Sequence, residues 1–137
     1  MNTQNIKTTF GKIMLFSLLA GAISIVINVI LFFIGKAMGA FPETVLIPNQ
    51  GKPFTVVPFI FSSMIPSIVA GLVMGLINRF SKKPKKIFNI IALVLVVLTF
   101  INPFFIPGAP IMMIIILNIM HVVVAGNLVF IYNKTIK

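Results

Sequence analysis

Long apolar stretches separated by short polar links dominate the pattern of this chain. A helix needs about 20 mostly apolar residues, at 1.5 Å per residue, to cross the ~30 Å hydrocarbon core of a bilayer. Because the links are short, successive helices should run antiparallel. The pattern predicts an all-α membrane protein, an antiparallel bundle of four transmembrane helices in one domain over residues 1–137. The predicted spans are residues 13–35, 55–78, 87–105 and 111–132.

Small and polar residues indicate which helix faces should pack together, because helices in lipid associate through close packing and hydrogen bonds. The first span carries one such stripe, made of Ser17, Gly21, Ser24, Asn28 and Gly35. The second repeats small residues every fourth position, at Ser63, Ser67, Gly71 and Gly75. The third is almost entirely branched aliphatic, so it should be the most lipid-exposed helix. Its end at Asn102-Pro103 should bend or stop it.

The link between the first two spans has a pattern of its own. The runs Thr-Val-Leu-Ile and Lys-Pro-Phe-Thr-Val-Val flank the turn signal Pro-Asn-Gln-Gly. Two β-prone runs around such a turn predict a short extended or hairpin-like outer loop that lies over the mouth of the bundle. Pro53 and Pro58 would keep any ladder brief. The alternative is a proline-stiffened connector without pairing.

The composition of the chain is typical of a protein that lives in lipid. Hydrophobic residues make up 59% of the 137 residues and charged residues 9%, whereas soluble domains average about 45–50% apolar and about 25% charged residues. With both termini inside, nine of the eleven basic residues are cytoplasmic, and only Lys36 and Lys52 lie outside. The positive-inside rule therefore places both termini in the cytoplasm. The net charge of +10 follows from this topology rather than from nucleic-acid binding, which needs a polar surface.

Four segments carry a resemblance to a known family. They are Gly-Lys-Ala-Met-Gly-Ala-Phe-Pro-Glu after the first span, Leu-Ile-Pro-Asn-Gln-Gly in the outer loop, Asn-Pro-Phe-Phe-Ile-Pro-Gly-Ala-Pro after the third span, and Met-His-Val-Val-Val-Ala-Gly in the fourth. Together they resemble an uncharacterised family of small bacterial four-helix integral membrane proteins, a domain of unknown function, from about residue 21 to residue 130. The resemblance implies a fold and a membrane location, and it supplies no catalytic residues.

A polar cluster within the spans is the candidate site. His121 lies ten residues into the fourth span, near the bilayer midplane, where an ionisable residue is costly and usually faces the protein interior. Asn118, Asn28 and Ser63 should lie at nearby depths on inward-facing stripes. These residues predict a ligand-binding pocket in the outer half of the bundle, closed from below by the packing of Gly71 and Gly75. The alternative is a hydrogen-bond cluster that only fixes helix packing.

Other candidate residues lie outside the spans. Glu43, the one acidic residue, should lie at the outer mouth, either as a cation ligand or as an ordinary loop residue. The cytoplasmic lysines could engage anionic lipid headgroups, at about 1 kcal/mol per residue, or serve only to set topology: Lys82, Lys83, Lys85 and Lys86. One histidine, one acidic residue and no cysteine cannot complete a tetrahedral metal site. Neither a metal nor a cofactor is therefore predicted.

The functional prediction is correspondingly coarse. Without thiols, paired carboxylates or phosphate-binding glycine loops, the chain should be a non-enzymatic structural element or partner subunit in the bacterial cytoplasmic membrane. Its expected partners are the lipid bilayer and either a second copy or another membrane protein, and not nucleic acid. One alternative is a small oligomeric transporter or channel that uses His121. The other is a lipid- or quinone-linked membrane enzyme with the pocket as its active site.

Overall fold

The computed structural model describes residues 6–137 of the chain and consists almost entirely of helix. Four long helices follow one another: α1 (Phe10–Ala37), α2 (Val56–Phe80), α3 (Pro84–Thr99) and α4 (Ile111–Thr135). A short 3-10 turn, Asn102–Phe105, extends α3, and the four helical segments are each long and apolar enough to cross a membrane. The predicted all-α, four-helix fold is confirmed, and the described residues contain no β-strand.

Local sequence signals set both ends of α3. The helix begins at Pro84, where the missing N–H of proline costs nothing because first-turn N–H groups have no partner within the helix. It ends at Thr99, and the chain then tightens into the 3-10 turn around Pro103. The predicted interruption at Asn102-Pro103 is therefore confirmed. Gly108, with φ of 73°, then lets the chain reverse toward α4.

Helix α1 is the centre of the bundle. It packs along its length against α2 and α4, whereas α3 packs mainly against α4 and barely touches α2. Along α3 only Phe88 and Ala92 are buried, which confirms that it is the most exposed helix. We call the end with residues 38–55 and 100–110 the loop end. The opposite end, with residues 6–9, the 81–83 turn and residues 136–137, is the terminal end.

Glycines on α2 allow it to lie very close to α1. A Cβ atom at Gly71 would be 2.6 Å from Ser17 Oγ and 2.7 Å from Met14 Sδ, and one at Gly75 would be 2.6 Å from the ring of Phe10. Such distances are shorter than van der Waals contact, so a Cβ atom at Gly71 would collide with the hydrogen-bonded Ser17, and one at Gly75 would have to displace the exposed ring of Phe10. The Gly71 and Gly75 pair therefore serves as a packing surface for α1.

Two hydrogen bonds of one kind join α4 to α1. The hydroxyl of Ser17 donates to the carbonyl one turn earlier, which leaves its oxygen free to accept from the hydroxyl of Tyr132. Ser24 likewise donates to the carbonyl one turn earlier (2.8 Å) and accepts from Asn127 Nδ2 (3.0 Å). We call this arrangement a serine relay. In a serine relay, the serine hydroxyl donates to a carbonyl of its own helix and accepts a hydrogen bond from a neighbouring helix.

Apolar side chains fill both ends of the bundle. The terminal-end cluster joins all four helices and contains Ile13, Ala20, Met74, Phe88, Ala92, Leu128, Ile131, Tyr132 and Ile136. The loop-end cluster joins α1, α2, α4 and the 38–55 loop, and contains Phe32, Ala40, Phe41, Val45, Phe59, Met113, Ile116, Leu117 and Met120.

The 38–55 loop folds back over the loop end. It contains one antiparallel bridge, between Leu46 and Pro53, and the Ile47 N–H donates to the Lys52 carbonyl at 2.8 Å. Phe41 is buried and its ring centroid lies 5.1 Å from that of Phe32. The segment is thus a single-bridge turn anchored by an aromatic side chain.

The N-terminal segment is fastened across the end of α2. Lys7 Nζ donates to the carbonyl oxygens of Asn78 (2.8 Å), Arg79 (3.3 Å) and Ser81 (3.2 Å). An ammonium group at this position satisfies carbonyls that lack a helical partner and opposes the negative end of the helix dipole. Asn78 Nδ2 donates in return to the Thr8 carbonyl at 2.9 Å.

The close packing at Gly71 predicts that the effect of a glycine-to-alanine substitution on stability depends strongly on its position. Replacing Gly71 by alanine should lower the free energy of unfolding by about 1–3 kcal/mol, the usual cost of overpacking, because Ser17 is held by its hydrogen bonds and cannot move aside. Gly126→Ala is the matched control, since nothing lies within 4 Å of a Cβ atom there. It should leave stability unchanged or raise it by up to about 1 kcal/mol. Thermal unfolding in detergent measures both, and equal effects would contradict the prediction.

Candidate functional site

A cavity of about 330 Å³ lies between α2, α3 and α4, with α1 behind it. Along α2 it extends from Phe59 to Val73, about 20 Å at 1.5 Å per residue. Most of its lining is apolar, and the polar residues that line it are Asn28, Ser62, Thr99 and His121. The cavity therefore combines a long hydrocarbon wall with a few polar groups.

The cavity opens sideways, between α2 and α3. These two helices barely touch, and the lining residues Ser62, Pro66 and Val69 on α2 and Leu95 on α3 are exposed. Both helices are long and apolar enough to cross a membrane, so the sides of the opening are formed by apolar helices.

The most deeply buried polar residue of the cavity is Asn28, which is 2% exposed. Its Nδ2 donates to Ser63 Oγ at 2.9 Å, and Ser63 in turn donates to the Phe59 carbonyl at 2.7 Å. This is a third serine relay, here from α1 to α2. Because the single proton of Ser63 goes to Phe59, the amide of Asn28 must direct its Nδ2 toward Ser63. Its Oδ1 has no donor among the residues that the structure describes.

The neighbouring polar groups of the cavity also present acceptors. Ser62 donates its hydroxyl proton to the Phe59 carbonyl (3.3 Å) and Thr99 donates its own to the Val96 carbonyl (2.9 Å). Pro66 lacks an N–H, so it cannot donate to the carbonyl of Ser62 one turn earlier. The hydroxyl oxygens of Ser62 and Thr99 and the carbonyl oxygen of Ser62 therefore have lone pairs available. The two hydroxyl protons are already used in hydrogen bonds.

The structure brings some of the predicted site residues together. Asn28 and His121 line the same cavity. Ser63 lies behind the cavity and orients Asn28. Asn118 does not line it, and donates instead from Nδ2 to the Phe100 carbonyl at 3.3 Å, which ties α4 to the end of α3.

The predicted floor of the pocket is wrong. Gly71 and Gly75 lie on the face of α2 that packs against α1, because their missing side chains make room for residues such as Ser17. The cavity instead reaches Val73 on α2, past Gly71, and is lined at that end by Phe88 and Leu128. It is longer and more apolar than the polar residues alone indicated.

Two polar residues behind the site, which the sequence pattern did not indicate, hold α4 in place. Asn127 and Tyr132 hold α4 against α1 through serine relays. An asparagine inside an apolar span was the available signal for Asn127, as it was for Asn118. Which serine each would reach depends on how the helices are rotated, and the sequence pattern does not specify that.

The remaining candidates lie apart from the cavity. Glu43 is exposed in the 38–55 loop. The four lysines lie at the terminal end, around the start of α3, and are exposed or half-buried: Lys82, Lys83, Lys85 and Lys86. Within residues 6–137, no three histidine or acidic side chains come close enough together to hold a metal ion.

Comparison with known proteins gives one match. A family model described as a family of unknown function, DUF6069, matches residues 8–137. The chain has no match among curated proteins or solved structures.

The third relay predicts different roles for two adjacent serines. Ser63→Ala should lower the free energy of unfolding, because the buried amide of Asn28 loses its acceptor. The loss should fall between about 0.6 kcal/mol, the average for a hydrogen bond between membrane helices, and about 3 kcal/mol, the upper cost of a stranded buried donor. Ser62→Ala, at an exposed position, should stay within about 0.5 kcal/mol of the native protein. The free energy of unfolding of both variants is measured in detergent. A loss of stability in Ser62→Ala as large as that in Ser63→Ala would contradict the prediction.

Proposed function

We propose that this chain, which belongs to the DUF6069 family of unknown function, binds a lipid within the membrane. The lipid chain lies in the cavity between α2, α3 and α4. The observation that carries the proposal is that this cavity is long, almost wholly apolar, and bordered by exposed residues of α2 and α3. The protein is in this view a non-enzymatic membrane component, acting alone or as a subunit of a larger complex.

The size of the cavity supports one hydrocarbon chain. Its volume of about 330 Å³ is near the lower end of the ~300–1,000 Å³ range of small-molecule sites. Its length of about 20 Å along α2 is about two thirds of the ~30 Å hydrocarbon core, which is more than the ~15 Å depth of one leaflet. A single extended lipid chain of that length would occupy such a groove.

The chemistry of the lining supports binding rather than catalysis. Of the residues that line the cavity, only His121 is ionisable. General acid–base or nucleophilic chemistry needs a second positioned group, such as a carboxylate next to the histidine or a nucleophile next to the base. No carboxylate accompanies His121 in this lining, and the hydroxyls of Ser62 and Thr99 donate to carbonyls of their own helices rather than to His121. The lipid- or quinone-linked enzyme is therefore the less supported alternative.

A transporter or channel that uses His121 is also less supported. The apolar clusters at the loop end and the terminal end fill the bundle along its axis. The cavity opens at its side, which gives access from the bilayer rather than a path across it. A second copy would be needed to complete such a path.

We also propose a bacterial cytoplasmic membrane location, with both termini in the cytoplasm. The support is the concentration of basic residues at the terminal end, which the positive-inside rule assigns to the cytoplasm. At this end the lysines of the 81–83 turn and of the first turn of α3 lie close to lipid headgroups. In this orientation the 38–55 loop and Glu43 face outward.

The absence of cysteine from the sequence makes this topology directly testable. A single cysteine at Gln50→Cys, in the exposed tip of the 38–55 loop, should react with a membrane-impermeant maleimide on intact bacteria. One at Lys137→Cys, exposed at the terminal end, should react only after the cells are permeabilised. The reverse pattern would overturn the proposed orientation.

Filling the cavity tests lipid binding. Ala125 lines the cavity, so Ala125→Phe should displace the lipid chain and reduce the lipid retained per purified chain about tenfold, equivalent to about 1.4 kcal/mol. Ala22→Phe is the matched control, because Ala22 is exposed on α1 and does not line the cavity. Native mass spectrometry in mild detergent counts the retained lipid.

A second cavity-filling variant shows whether a loss of lipid in Ala125→Phe comes from the filled cavity rather than from misfolding. Ala70 lines the cavity from α2, and Ala70→Phe should reproduce the loss from the opposite wall. Circular dichroism and thermal unfolding identify any variant that has not folded. Equal lipid retention in all folded variants would refute the proposed function.

A further inference from the structure

We propose that the lipid in the cavity is an anionic phospholipid whose headgroup lies on the basic residues between α2 and α3. We call these residues the basic turn: Lys82, Lys83, Lys85 and Lys86. One acyl chain of the lipid lies in the cavity and the other stays outside it. This inference rests on the proposed function and adds the chemical class of the ligand and its orientation.

The distribution of polar groups in the cavity orients the chain. In the half nearer the terminal end, only apolar residues line the cavity, from Val69 to Val73 on α2 and from Phe88 to Leu95 on α3. An acyl chain is best accommodated in that half, because it meets only apolar side chains there. The polar lining residues lie in the half nearer the loop end: Asn28, Ser62, Thr99 and His121.

The headgroup must lie outside the cavity. The described residues that line the cavity include no lysine, arginine, aspartate or glutamate. A phosphate group inside it would therefore be removed from water without a cation to balance it, which is costly. Because the apolar half of the cavity is the half nearer the terminal end, the headgroup belongs at that end.

Helix α3 leads directly from the cavity to the basic turn. Four residues of α3 that line the cavity recur at spacings of four, three and four, and so share one face of the helix: Phe88, Ala92, Leu95 and Thr99. Lys85, three residues before Phe88, continues this face about 4.5 Å nearer the terminal end. Side chains of a helix tilt toward its N-terminus, which for α3 is the terminal end. A lysine at this position can therefore keep its stem beside the cavity and extend its ammonium group to headgroup depth.

The basic turn also lies between the two helices that border the opening. Residues 81–83 connect the end of α2 to the start of α3, and the cavity opens between these helices. Phe88, at the terminal side of the cavity, lies four residues after the first residue of α3, about 6 Å along the axis. The headgroup of a lipid whose chain lies between α2 and α3 is therefore within reach of these lysines.

The charge of the basic turn favours an anionic headgroup. The one acidic residue of the sequence, Glu43, lies in the 38–55 loop at the opposite end, so no acidic side chain neutralises these lysines. Lys7 donates its ammonium protons to three carbonyl oxygens, whereas within residues 6–137 no side chain of the basic turn donates a hydrogen bond. A zwitterionic headgroup carries its own ammonium group, which these lysines would repel.

Two phospholipids with the same acyl chains test the inference. Anionic phosphatidylglycerol and zwitterionic phosphatidylcholine are each added to the delipidated full-length protein in detergent, and binding is measured by native mass spectrometry. The native protein should bind phosphatidylglycerol at least about tenfold more tightly, because each lysine near an anionic headgroup contributes about fivefold. In the double variant Lys82→Gln with Lys85→Gln, the preference should fall below about twofold.

The double variant Lys12→Gln with Lys134→Gln is the matched control, because it removes the same charge from the terminal end. Both lysines are exposed, and neither lies near the opening. Lys12 is on α1, behind the cavity, and Lys134 lies over the ring of Phe130, which does not line the cavity. This variant should keep a preference within about twofold of the native one, since exposed charges beyond about 10 Å are screened at 0.1 M salt.

Ala125→Phe tests whether the headgroup and the chain belong to one molecule. Ala125 lines the apolar half of the cavity, so the added ring should weaken the binding of both phospholipids by about tenfold. If it weakens only the binding of phosphatidylcholine, the basic turn holds an anionic lipid apart from the cavity. That result would overturn the inference.

The outcomes distinguish the inference from the function on which it rests. Equal binding of the two phospholipids by the native protein overturns the anionic preference and leaves lipid binding in place. An equal loss of preference in the two double variants also overturns the inference, because the overall charge of the terminal end would then explain it. If neither phospholipid binds, the proposed function fails. The comparison on the native protein needs no variant, so it decides the matter even if a variant does not fold.

Discussion

Hydrogen bonds that end on serine hydroxyls hold this bundle together. In lipid no hydrophobic force drives apolar helices toward one another, so association depends on close packing and on interhelical hydrogen bonds. Ser17, Ser24 and Ser63 each give their proton to a carbonyl of their own helix and accept from a neighbouring one. Each serine thereby keeps its helix intact while it fixes the position of another.

These relays make α1 the common partner of α2 and α4, and the cavity follows from that arrangement. All three include a residue of α1, whereas none involves α3. Helix α3 is held to α4 by the Phe88–Tyr132 ring contact, with centroids 4.7 Å apart, and by the paired amides of Asn89 and Asn133. Nothing comparable fastens α3 to α2. The space between them remains open, and it is lined by the apolar residues that neither helix buries elsewhere.

The donors of the three relays differ in what they leave unpaired. The hydroxyl of Tyr132 is used by Ser17, and the amide of Asn127 is only partly buried. Asn28 is buried, reaches the cavity, and keeps an oxygen without a donor. The same kind of bond therefore stabilises the fold at two positions. At the third it also fixes the buried amide of a residue that lines the cavity.

The sequence by itself determined the four helices, the buried stripe of α1, the close approach at Gly71, the exposure of α3 and its break near Pro103. These properties depend on length, residue size and proline chemistry, which are local. It also identified Asn28 and His121 as inward-facing. Only the tertiary structure decided that Gly71 faces α1 rather than a pocket, that Asn118 lies outside the cavity, and that the space between α2 and α3 stays open. Those features depend on the rotation of each helix about its axis, which contacts between distant residues such as Ser17 and Tyr132 fix.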